Sequence, residues 1–129
     1  MQKGEDSMKA INAKKAPAAV GPYVHAIQAG NTIYASGQLG LIPETGELAV
    51  GVEAQAEQAF ANVKEVLREA GCTLNNVVKT TVFLADMKDF AAFNAVYEKY
   101  FVSKPARSCV AAAALPKAAL VEVELIAIH

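Results

Sequence analysis

A chain of 129 residues has room for one domain with a real core. Twelve basic and thirteen acidic side chains leave a net charge of −1 with no block of like charge and no tryptophan, so neither the basic stripe nor the stacking platform of a nucleic-acid binder is visible. Two cysteines are too few for a disulfide scaffold, and 53% hydrophobic against 19% charged residues is apolar enough for so small a domain to suggest an oligomer.

Met1–Ser7 is polar and lacks the apolar stretch of a secretory signal. It reads as a flexible N-terminal extension, residues 1–7, before a single domain over residues 8–129. No run approaches the ~20 apolar residues of a spanning helix, so the expectation is a cytoplasmic protein with no membrane partner. The turn-rich Ala16–Pro22 leads into a first strand over Tyr23–Ala29. Gly30-Asn31 then reads as the hairpin turn to a second strand, Thr32–Leu39. Gly37 interrupts that strand near its end, as a bulge or the close approach of a ligand requires. Pro43-Glu44-Thr45-Gly46 marks a further turn.

From Val52 to Ala70 the period becomes helical. Ala56, Ala59, Phe60, Val63, Leu67 and Ala70 share one face, and Glu57, Lys64, Glu65, Arg68 and Glu69 lie largely opposite. Gly71 supplies a left-handed stop. Val77–Ala85 is strongly β-forming, and Asp86 suits the cap of a second helix. On that helix Phe90, Phe93, Tyr97 and Tyr100 form an aromatic stripe of the kind that fills a core. Asn94 falls at its border, where an amide must find a partner in the backbone or in a pocket.

Lys104-Pro105 ends this helix, Arg107–Ala114 forms a strand, and Leu115–Ala119 turns into a last strand, Leu120–Ile128. Val121, Val123, Leu125 and Ala127 line one face of that strand; Leu120, Glu122, Glu124, Ile126 and Ile128 line the other. Two carboxylates on an otherwise apolar face fit a surface that meets another subunit, with a polar pocket at the seam. The fold class is α+β, a sheet covered on one side by both helices, with its other face left for oligomerisation.

The chain has two arginines. Arg68 sits on the charged face of the first helix and reads as solvated. Arg107 has no carboxylate near it in sequence and, by strand alternation, shares a face with Cys109. A planar, permanently charged fork at the edge of an apolar sheet suits a small carboxylate or phosphate. The plain alternative is a strand-end arginine bonded to carbonyls or to a distant acid. Cys109 lacks a partner base nearby and reads as a small pocket-lining group before a nucleophile. His25 and His129 read as ordinary surface or interface residues and Cys72 as structural. Neither cysteine stands in metal-ligand spacing with His25 or His129.

Several short motifs, in order, resemble the RidA family, formerly YjgF, of reactive-intermediate deaminases. They are Gly21-Pro22-Tyr23, Ser36-Gly37-Gln38, Asn62-Val63, Phe93-Asn94-x-x-Tyr97, Pro105-Ala106-Arg107-Ser108-Cys109-Val110, Leu115-Pro116 and Val121-Glu122-Val123-Glu124. The resemblance covers nearly all of Met8–His129, and departs from the common pattern at Val24, His25, Ala111 and Val123. It implies a chorismate-mutase-like subunit in a homotrimer, with active sites in clefts between subunits. The implied reaction is hydrolysis of 2-iminopropanoate and 2-iminobutanoate to 2-oxo acids and ammonia without metal or cofactor. The implied link is to pyridoxal-phosphate enzymes that release such imines. By similarity Arg107 holds the substrate carboxylate, and Tyr23, Ser36, Gly37, Asn94, Cys109 and Glu122 shape the pocket. From the residue types, Glu122 or a carbonyl near Cys109 would align water, and Tyr23 or Ser36 would serve the imine nitrogen. The alternative is a non-catalytic trimer that binds small carboxylates or another protein, as a translation inhibitor or chaperone would.

Overall fold

The computed structural model describes residues 8–129; the extension expected over residues 1–7 lies outside the described residues. The elements are β1 (Met8–Ile11), β2 (Ala26–Ala29), β3 (Thr32–Leu39), α1 (Val52–Glu69), β4 (Val77–Leu84), α2 (Phe90–Tyr100), β5 (Ala106–Ala111) and β6 (Val121–Ile128). The strands form one sheet in the order β1-β2-β3-β6-β4-β5. β4 and β5, joined through α2, run parallel, and the other pairings are antiparallel.

Both helices cover one face of this sheet, as the apolar periodicity requires. Ile33 of β3, Val82 and Leu84 of β4, and Val121, Val123, Leu125 and Ala127 of β6 pack in one cluster with Ala56, Phe60, Val63, Phe93 and Tyr97. Phe60 is its hub. Its ring centroid lies 5.8 Å from Phe93, 5.9 Å from Tyr97, 5.2 Å from Tyr100 and 5.3 Å from Phe101. The aromatic stripe of α2 is therefore core, and truncating Phe60 to alanine would cost about 3–5 kcal/mol. The opposite face of the sheet is open and leaves Tyr34, Val110 and Ile128 exposed.

The ends of α1 are held in ways that bear on the site. At its C-terminus Gly71, at φ 77°, donates to the Arg68 carbonyl (3.0 Å), and Cys72 donates to that of Leu67 (2.8 Å). These two bonds make a Schellman motif, which needs the left-handed residue that glycine supplies. Along its body the buried Asn62 amide donates to the carbonyls of Leu39 (3.0 Å) and Leu41 (2.9 Å). Gln55 Oε1 accepts from the Leu120 N–H (2.8 Å). Two polar side chains of α1 thus satisfy backbone groups where β3 ends and β6 begins. No helix is long and apolar enough to cross a membrane among the described residues.

The structure revises some of the expected boundaries. β1 was not foreseen, because three of its four residues are exposed and it offers no alternation to read. β2 begins at Ala26 rather than Tyr23, because the preceding backbone is committed elsewhere. The Tyr23 N–H donates to Gly21 O (2.9 Å) and the His25 N–H to Asn12 Oδ1 (3.2 Å). β5 ends at Ala111 rather than Ala114; the alanine tract leaves the sheet after Ala112 N–H donates to Leu84 O (2.8 Å). Asp86 does cap, but it caps a 3-10 turn over Met87–Asp89 that feeds α2, accepting from the Lys88 N–H at 2.9 Å.

His25 is the clearest correction. It is buried, not a surface residue. Its Nδ1 accepts from the Ala13 N–H (2.9 Å), which leaves Nε2–H to donate to Pro17 O (2.8 Å). One imidazole thereby satisfies two backbone groups in the irregular segment between β1 and β2.

Candidate active site

Arg107 lies on β5, an edge strand, directly across the parallel ladder from Thr80 of β4. It and Cys109 face α2, as alternation along the strand requires. Arg107 Nη1 donates to Asn94 Oδ1 at 2.7 Å, and its Cζ stands 4.7 Å from the Tyr97 ring centroid and 5.6 Å from that of Phe90. Of the two partners left open for Asn94, backbone or pocket, the side chain of Arg107 is the one it meets. The ion pairs among the described residues are Arg68–Glu65 (3.5 Å) and Lys99–Glu57 (3.2 Å), and neither involves Arg107. Arg68 is the solvated residue expected.

A guanidinium carries five N–H donors. Here one meets an amide oxygen and the cation rests on ring faces, and among the described residues no carboxylate pairs with it. The N–H donors left over could pair bidentately with a planar carboxylate or phosphate. A cleft of ≈ 400 Å³ opens beside it, between Tyr97, Phe101, Pro105 and Arg107, with Lys104 and Glu98 also on its wall. Cys109 is half-buried next to this group. Burial pushes its thiol above the ordinary value, and the opposing pull of Arg107 is the smaller effect. It is a neutral thiol at neutral pH, which suits a wall better than a nucleophile.

The remaining site candidates gather elsewhere. Glu122 sits on β6 with its side chain on the open face of the sheet, opposite Val121 and Val123. Its carboxylate lies over Gly37, where a Cβ would collide with it. The glycine break in β3 coincides with a register shift between Ala35 and Gln38. What approaches there is this carboxylate. Burial, then repulsion from Glu124, raises the Glu122 pKa. Ser36 Oγ donates to the Val24 carbonyl (2.7 Å), next to Tyr23. Tyr23 is exposed, and its hydroxyl accepts from the Val20 N–H at 3.4 Å.

Two separate groups of candidate residues result. Arg107, Asn94 and Cys109 stand at β5 and α2; Tyr23, Ser36, Gly37 and Glu122 stand around β3 and β6. β5 and β3 are three strand spacings apart, roughly 14 Å, and Glu122 lies two spacings from β5, roughly 10 Å, on the opposite face. One chain does not close both groups around a molecule of a few ångströms. Tyr97 and Thr80 were not foreseen as part of the arginine's surroundings. The aromatic stripe assigns Tyr97 to the core, which it also joins, and the available signal was its i,i+3 spacing from Asn94. His129, at the C-terminus, is exposed and donates its N–H to Asn31 O (2.8 Å). Among the described residues no three His, Cys, Asp or Glu side chains group so as to hold a metal ion.

Comparison with known proteins places the chain in a family. The family model for endoribonuclease L-PSP matches residues 13–129. The 2-iminobutanoate/2-iminopropanoate deaminase of Mus musculus is 53% identical over 123 residues, 94% of this chain and 91% of that protein. The crystal structure of the YjgF gene product from E. coli superposes with a TM-score of 0.90 at 46% identity, covering 94% of this chain and 98% of that one. The structure of E. coli TdcF with bound serine also gives 0.90, at 40% identity and the same coverage. With a family model across almost all the described residues and relatives matched nearly end to end, the chain belongs to the endoribonuclease L-PSP family, also called YjgF or RidA.

Proposed function

We propose that the protein hydrolyses short 2-imino acids, such as 2-iminopropanoate and 2-iminobutanoate, to 2-oxo acids and ammonia, in pockets completed between copies of the chain. The observation that carries this reading is the Arg107 guanidinium. It is bonded to Asn94, laid on Tyr97 and in no ion pair among the described residues, beside an open cleft. Relatives that share half the sequence are named for this reaction. A relative holds serine, which like an imino acid carries its nitrogen on the carbon next to a carboxylate.

The chemistry follows from the parts. Arg107 grips the substrate carboxylate bidentately, which fixes the adjacent C=N carbon for attack. Water, aligned by Glu122 and by a backbone carbonyl near Cys109, adds to that carbon as its proton passes to Glu122, which returns it to the nitrogen. The raised pKa of Glu122 suits it to hold a proton and return it. The Tyr23 or Ser36 hydroxyl serves the nitrogen as the carbinolamine collapses to a C=O bond and ammonia leaves. Imines hydrolyse readily in water, so orientation and modest acid–base help suffice. Gly37 makes room for Glu122, and Cys109 lines the wall.

The half-sites of one chain are apart, so the pocket is completed by a second copy. The open sheet face, with Tyr34, Val110 and Ile128 exposed, is the surface that copies would cover. The assembly we infer is a homotrimer of the chorismate-mutase-like kind. Its substrates would come from pyridoxal-phosphate enzymes that release imines in the cytoplasm.

The test is a trapping assay. A threonine dehydratase generates 2-iminobutanoate in the presence of semicarbazide, and the semicarbazone is followed by absorbance. Wild-type protein is expected to suppress its formation and Arg107→Ala to leave it unchanged. Equal trapping with and without wild-type protein would overturn the reading and leave a non-catalytic binding module.

A further inference from the structure

We propose that Thr80 and Tyr97 are positioning residues for anion capture: their hydroxyl–hydroxyl bond sets the ring on which the Arg107 guanidinium rests, and so the direction in which its free N–H pairs point. The inference builds on the reading of Arg107 as a carboxylate anchor.

Thr80 is fully buried and Tyr97 nearly so. Their hydroxyls lie 2.7 Å apart inside the core. A buried phenol needs such a partner, but the placement of this one is specific. Thr80 is the residue paired with Arg107 across the β4–β5 ladder and faces the same side of the sheet. Tyr97 lies under the guanidinium, 4.7 Å from its Cζ. The three residues therefore close a triangle: the arginine and threonine are linked through the sheet, the threonine and tyrosine through a hydrogen bond, the tyrosine and arginine through a cation–ring contact.

The ring is further constrained by its neighbours. It stacks on Phe101 at 4.5 Å with an interplanar angle of 22°, and meets Phe60 edge-on at 5.9 Å and 73°. Packing fixes the ring plane, and the Thr80 bond fixes its sliding motion along the hydroxyl direction. A long, flexible side chain loses rotamer entropy in each productive pose. A stationary ring on one side and the Asn94 oxygen on the other remove most of the alternatives before an anion arrives. Asn94 holds one edge of the guanidinium; the Thr80–Tyr97 pair holds its plane.

The consequence is a loss of affinity without loss of fold. Thr80→Val, close in shape, removes the hydroxyl and frees the ring to shift. Tyr97→Phe removes the same bond from the other side, and Thr80→Ser keeps it. The probe is 2-oxobutanoate, the stable product carrying the same carboxylate, titrated calorimetrically into the assembled protein, with circular dichroism confirming the fold of each variant. Wild type and Thr80→Ser are expected to bind alike, and Thr80→Val and Tyr97→Phe roughly tenfold more weakly. In an Arg107→Lys background the Thr80→Val change is expected to have no further effect on binding, which a merely structural role would not predict. If wild type binds and Arg107→Ala does not, yet both hydroxyl deletions bind as wild type does, the positioning role is wrong while the anchor stands. Equal weakening by Thr80→Val in the wild-type and Arg107→Lys backgrounds would also overturn it. If Arg107→Ala binds as well as wild type, the anchor itself fails.

Discussion

At the scale of single residues, the chemistry turns on how each charged group is paired. Arg107 meets an amide and two rings in place of an acid, and its geometry is that of a fork. Replacing it by lysine keeps the charge and loses the planar donors. Arg107→Lys is therefore expected to lower kcat/KM for imine hydrolysis by about 10²-fold, as measured by trapping. Cys109, held neutral by burial, leads to the opposite expectation: Cys109→Ser retains most of the turnover. Glu122 gives a pH prediction. Its folded pKa is raised by burial and by Glu124, so the folded state binds more protons than the unfolded one between the ordinary Glu value and the raised one. Stability from this group is fully present below the ordinary value and is lost as pH rises through the raised value. Urea midpoints across that window should fall with rising pH in wild type and fall less in Glu122→Gln.

At the scale of elements, α1 is the part that carries the site's frame. Asn62 was legible only as part of a motif, and its role emerges from the two carbonyls it serves at the end of β3. Asn62→Leu fills the same space and leaves both acceptors unpaired. The expected cost is about 2–4 kcal/mol in urea denaturation. Gly71 was legible outright as a helix stop, and the structure adds the reason it resists change. At φ 77° a side chain is strained, and a Cβ would also crowd the His129 ring. Gly71→Ala is expected to destabilise by about 1–2 kcal/mol. Both helices, β3, β4 and β6 could be read because period and β-branching agree with the fold there. β1 and the start of β2 could not, because their backbones are set by an edge pairing and by the side chains of Asn12 and His25, and such contacts leave no periodic trace.

At the scale of the whole molecule, the sequence motifs name both groups of candidate residues but not the sheet that separates them. Alternation puts Arg107 with Cys109 correctly. The packing of Cys109 against the core puts Arg107 on the face away from Glu122, and the strand order β3-β6-β4-β5 sets the distance between them. That separation leads to the central claim, a deaminase pocket shared between copies of the chain. Light scattering is expected to give the mass of three chains. The most direct measurement mixes two variants, each defective in one half-site, Arg107→Ala and Glu122→Gln. They are unfolded together, refolded as mixed assemblies and assayed by suppression of semicarbazone formation from 2-iminobutanoate. Each variant alone is expected to be nearly inactive, and an equal mixture to regain about a quarter of wild-type activity, because a quarter of its pockets combine an intact half from each neighbour. A mixture no more active than its two components would contradict the account.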